Sequence, residues 1–155
     1  MSTVKFTVLF TSLLATSTIY GQKYHSFKSL LSNPRVGKVS IHESYNDTTW
    51  QTYLGKITSN NKDKFYYVFK EFKKVRAAAT WHGHSNLYIF TEQKRLYAII
   101  NVEMPHNLPF RLSNNKLSFK YSQNGATQLI ISKVPYNLPP VICFGPVGCY
   151  DVRLQ

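Results

Sequence analysis

Along much of the chain, apolar and polar residues alternate with a period of two, the spacing of a strand that lays one face on a core. The clearest stretch is 116–122, where Leu117, Phe119 and Tyr121 fall on one face and Lys116, Ser118 and Lys120 on the other. Asn124-Gly125 follows. That dipeptide suits a type I′ turn, because both central residues need positive φ. Leu129-Ile130-Ile131 supplies the return strand. A second hairpin is expected from 87–91 and 96–103, joined through polar residues 92–95, with Leu96, Ala98, Ile100 and Val102 on one face. Upstream, Val39, Ile41 and Tyr45 predict a strand near 36–45. Asn46-Asp47 marks a turn, 49–58 the return strand and 59–63 another turn.

Residues 64–79 fit two templates. Phe65, Val68, Phe69, Phe72, Val75 and Ala79 form a helical stripe, and Ala77-Ala78-Ala79 favours a helix at 64–79. Phe65-Tyr66-Tyr67-Val68-Phe69, however, is a run of strong strand formers between predicted strands, so β structure is the preferred reading. Residues 22–35 show little periodicity and read as an irregular leader. The expected fold is all-β: one antiparallel sandwich or small barrel of about seven strands over 36–155.

Pro105-His106-Asn107-Leu108-Pro109 recurs thirty positions later as Pro135-Tyr136-Asn137-Leu138-Pro139. In the same register Leu87, Gln93 and Ile100 meet Leu117, Gln123 and Ile130. Two hairpin units, 87–109 and 117–139, each closed by P-x-N-L-P, are therefore expected. Proline cannot donate to a ladder, so both connectors must leave the sheet.

Residues 1–21 look like a secretory signal peptide: Lys5, then an apolar run over 6–15, then Thr16-Ser17-Thr18. Cleavage is expected after Ser17 or after Gly21. Export to a periplasmic or extracellular, oxidising compartment changes how the two cysteines read. Cys143 and Cys149, in C-F-G-P-V-G-C, are expected to form a disulfide that closes a glycine-rich loop. Asn46-Asp47-Thr48 matches the N-glycosylation pattern, relevant only in a eukaryotic secretory pathway.

Charge adds a candidate surface. The chain of 155 residues carries 19 Lys+Arg against 7 Asp+Glu, a net charge of +12. Lys70, Lys73, Lys74 and Arg76 cluster, Lys94-Arg95 sits in a predicted hairpin turn, and Tyr66, Tyr67 and Tyr97 lie among them. Mixed cations and aromatic rings suit an anionic partner: an acidic polysaccharide, lipopolysaccharide, an anionic membrane surface or extracellular nucleic acid. The first functional expectation is therefore an exported, non-enzymatic binding protein with no cofactor.

Trp81-His82-Gly83-His84-Ser85 is the most chemically suggestive stretch. On a strand, His82 and His84 share a face, a common start to a copper or zinc site. His106 and Met104 are the candidates to complete it, with Glu92 further off, and a thioether ligand would favour copper. Gly83 and Ser85 also permit a turn, in which the histidines are simply solvated. The second expectation is thus a copper- or zinc-binding protein. The third is a small secreted hydrolase using His82 or His84 as acid/base and Lys74 or Arg76 to hold phosphate. Carboxylates are scarce, and no close pair of the kind a glycosidase needs stands in the sequence.

Overall fold

A computed structural model describes residues 27–155. The expected signal peptide, residues 1–21, and the first part of the leader lie outside the described residues. After one short helix, α1 (Lys28–Ser32), come β1 (Val39–Glu43), β2 (Asp47–Thr58), β3 (Phe65–Ala77), β4 (Thr80–Thr91) and β5 (Leu96–Asn101). There follow β6 (Arg111–Ser113), β7 (Lys116–Gln123), β8 (Ala126–Lys133), β9 (Val141–Cys143) and β10 (Cys149–Leu154). Seven strands form one sheet in the order β1-β2-β3-β4-β5-β10-β9, and three form a second in the order β6-β7-β8. Every strand pairing described is antiparallel. The fold is β-rich as expected, with ten strands rather than about seven among the described residues.

The large sheet is covered on both faces, and β3 shows how. Tyr67 and Phe69 pack with Phe27, Leu30 and Leu31 of the α1 segment. Val68, on the opposite face, packs in a cluster shared with Leu117 and Phe119 of the small sheet. Residues 64–79 therefore form a strand and not the alternative helix. A run apolar on both faces is what a doubly covered strand requires. The irregular leader is corrected as well: Phe27, Leu30 and Leu31 have i, i+3, i+4 spacing, and one helical turn brings all three into contact with the sheet.

Two irregularities tune the packing. β2 shifts register between Tyr53 and Gly55. Gly55 has φ +139, and a Cβ there would stand 3.4 Å from the Leu112 carbonyl oxygen, so glycine lets β6 approach β2 closely. A second shift lies at Ile89/Phe90, opposite Leu96 and Ala98. It corrects the expected facing of β5: Leu96 packs on the α1 side, whereas Ala98, Ile100 and Val102 face the small sheet. Asn115 ties the two sheets together. Its Oδ1 accepts from the Thr58 N–H at 2.8 Å, and its Nδ2 donates to the Thr58 carbonyl at 2.7 Å.

The two predicted hairpins form as β4–β5 and β7–β8, the latter through Asn124 and Gly125 at φ 51 and 79. Their ladders differ in register. Leu87 pairs with Ile100, but Leu117 pairs with Ser132 and Ile130 with Phe119. Cys143 and Cys149 are disulfide-bonded across the β9–β10 ladder. No helix among the described residues is long and apolar enough to cross a membrane.

Candidate functional site

Strand alternation divides the predicted basic cluster. Lys70, Lys74 and Arg76 project from the β3 face that carries Val68. Lys73 projects from the opposite face, where its Nζ lies 3.2 Å from Asp47 Oδ2. Tyr67 is buried on that same opposite face. Lys94 and Arg95 lie in the β4–β5 turn, at the far end of the sheet. Tyr66 is stacked between Tyr97 and Tyr136, with ring centres 4.5 and 4.6 Å away. Burial, then hydrogen bonding with Tyr136 and Tyr97, holds the Tyr66 phenol well above the ordinary tyrosine range. The nine predicted ligand-binding residues are thus not one site.

The structure instead gathers three of them with residues of β1, β2 and β4. Along one row Ile41 pairs with Trp50, and Trp50 with Phe72. The Trp50 and Phe72 rings are stacked, 5.4 Å between centres and 15° from parallel. Phe72 lies over Gly83, whose absent side chain leaves room for it: a Cβ at Gly83 would meet Phe72 Cε2 at 3.0 Å. Gly83 and Ser85 are accordingly strand residues within β4, and the chain reverses before them, at Ala78 and Ala79. In the next row Lys74 Nζ sits 4.6 Å from the centre of the Trp81 ring, within cation–π range.

This open part of the sheet is both apolar and cationic. Val39, Ile41 and Trp81 are 50%, 55% and 49% exposed. Lys74 and Arg76 are exposed and Lys70 half-buried. Loss of hydration draws the Lys70 ammonium below the usual lysine range. Glu43, paired with Thr48 at the margin, is the one carboxylate that alternation places on this face among the described residues. The surface thus sets exposed apolar groups directly beside cations. Val39, Ile41, Trp50 and Phe72 are not among the site residues expected from the sequence. The period-two pattern of 36–45 and 49–58 was legible, but not which strand their outward side chains would join.

The two β4 histidines lie on the other face. His82 and His84 do share it, opposite Val75 and Lys73. His82 Nε2 is 3.0 Å from Thr80 Oγ1. His84 lines a groove of about 540 Å³ with Glu71, Asn86, Asn101 and Arg153. Glu71 is buried there and accepts hydrogen bonds from Gln51 Nε2 at 2.8 Å and the Tyr88 hydroxyl at 3.1 Å. His106 stands in a 3₁₀ turn, Pro105–Asn107, next to the exposed Met104. Among the described residues, no three or more His, Cys, Asp or Glu come together in a group able to hold a metal ion. His106 is therefore not brought to His82 and His84.

No known protein family, curated protein or solved structure matches the chain.

Proposed function

We propose that the protein is an exported, non-enzymatic binding module that holds an anionic polysaccharide on the open face built by Trp50, Phe72, Lys70, Lys74 and Trp81. The observation that carries this reading is the Trp50–Phe72 stack flanked in the adjacent rows by Lys70 and Lys74. Flat apolar rings take the ring face of a sugar, and the ammonium groups take its carboxylate or sulfate. The sheet supplies a rigid, pre-ordered surface, so little side-chain freedom is lost on binding. The disulfide between Cys143 and Cys149 fits a periplasmic or extracellular location.

The reading is tested by retention on a sulfated-polysaccharide matrix. The wild type is retained in a salt-sensitive way, and Lys70→Glu with Lys74→Glu elutes at clearly lower salt. Equal elution of Lys94→Glu with Arg95→Glu and wild type is the matching control. If instead the Lys94/Arg95 variant loses retention and the Lys70/Lys74 variant keeps it, this face is not the site.

A further inference from the structure

The small sheet has an outer face of its own. Residues 105–150 contain no Asp or Glu. Alternation places Leu117 and Phe119 against the core and turns Lys116, Ser118 and Lys120 outward. Their ladder partners turn outward with them: Lys133 beside Lys116, Ile131 beside Ser118, Leu129 beside Lys120. Arg111 of β6 pairs with Ser118 and joins the same face. All four cations are exposed. Leu129 and Ile131 are 61% and 57% exposed and, two residues apart on β8, share this face.

Two features point to an occupant. Lys116 and Lys133 stand directly opposite each other on strands that carry no acid, and like charges so placed cost folding free energy; Asp63 lines a cavity with Lys133 but already accepts a hydrogen bond from the Ser59 hydroxyl. The exposed apolar groups are aliphatic, and they occupy β8, an edge strand of its sheet with no strand beyond it among the described residues. The nearby Phe110 ring has Lys120 Nζ 5.7 Å from its centre. There is no stacked aromatic floor here such as Trp50 and Phe72 form. A base or a sugar ring gains little from Leu and Ile, and a second copy of the chain would set cations against cations.

We infer that the outer face of the small sheet, Arg111, Lys116, Lys120 and Lys133 beside Leu129 and Ile131, docks on an anionic lipid surface. The lysine and arginine heads meet lipid phosphates while the two aliphatic side chains reach below them. This face lies on a different sheet from the proposed polysaccharide site and does not depend on it.

The test is co-sedimentation with vesicles of equimolar phosphatidylcholine and phosphatidylglycerol, against vesicles of phosphatidylcholine alone. The wild type partitions to the anionic vesicles at least about ten-fold more strongly. Lys120→Glu with Lys133→Glu removes that preference. Leu129→Ser with Ile131→Ser weakens partition to the anionic vesicles yet leaves retention on the polysaccharide matrix unchanged. All four positions are exposed, and circular dichroism checks that each variant is folded. Equal partition to both vesicles, or variants that bind as wild type does, overturns the inference. So does binding to a single-stranded oligonucleotide without vesicle binding, or self-association that the same variants abolish.

Discussion

Phe72 lies over Gly83 so closely that a single added methyl would stand 3.0 Å from its Cε2 atom. The same ring stacks on Trp50. Gly83→Val therefore pushes Phe72 off its position and breaks the stack. The expected result is altered Trp50 fluorescence in a Trp81→Phe background, with weaker polysaccharide retention. Unchanged fluorescence would mean that Gly83 does not set the position of Phe72.

The disulfide closes a short loop whose 3₁₀ turn, Gly145–Val147, is held by the Tyr150 hydroxyl donating to the Val147 carbonyl at 2.8 Å. Removing the bond frees the unfolded chain more than it alters the folded one. Cys143→Ser with Cys149→Ser is expected to lower stability by about 2 kcal/mol, given the small loop. Urea unfolding of oxidised wild type and the double variant measures it. Coincident midpoints would show that the loop is held by its other contacts alone.

Alkali should unfold the protein through its buried tyrosines. Burial, then the neighbouring Tyr67, raises the Tyr53 phenol from 10.0 to about 12. Burial also raises Tyr66 and Tyr150. A phenol whose folded value is raised stabilises the fold fully below its unfolded value, near pH 10. That stability is lost as pH rises from 10 towards 12. Tyrosinate absorbance and far-ultraviolet circular dichroism followed together should change in one transition in that window. Full tyrosine ionisation with the circular dichroism unchanged would contradict it.

Phe27 is 1% exposed, and its ring centre lies 5.4, 4.8 and 5.3 Å from those of Phe69, Tyr88 and Phe90. Phe27→Ala should cost about 3–5 kcal/mol, the usual range for truncating a buried phenylalanine. Denaturant unfolding checks it. A loss below about 1 kcal/mol, the level of an ordinary substitution, would mean that the α1 segment is not part of the cooperative unit.

What was legible in the sequence was local. Leu117, Phe119 and the Asn124-Gly125 turn announce β7–β8, because pattern and turn chemistry agree within a few residues. The pairing of β5 with β10, through Ile100 and Val152, joins segments far apart in the chain, and no short pattern encodes it. The extra residue at Tyr97 that turns Leu96 to the α1 side is equally silent, since a bulge reverses facing without disturbing composition. At the site, strand alternation already separates Lys73 from Lys70 and Lys74, so their closeness in sequence is a poor guide to one surface. Trp50 and Phe72 meet only because β2 and β3 pair. The basic face of the small sheet did leave a readable mark: the long run without an acid between Glu103 and Asp151.

The chain has two tryptophans, and both lie on the proposed binding face, so intrinsic fluorescence reads that face directly. The most direct measurement is a fluorescence titration of the folded protein with a sulfated oligosaccharide, in wild type and in Lys70→Glu with Lys74→Glu. The account predicts a saturable change in wild type that salt weakens and the double variant loses. No change in wild type, or an undiminished one in the variant, would contradict it.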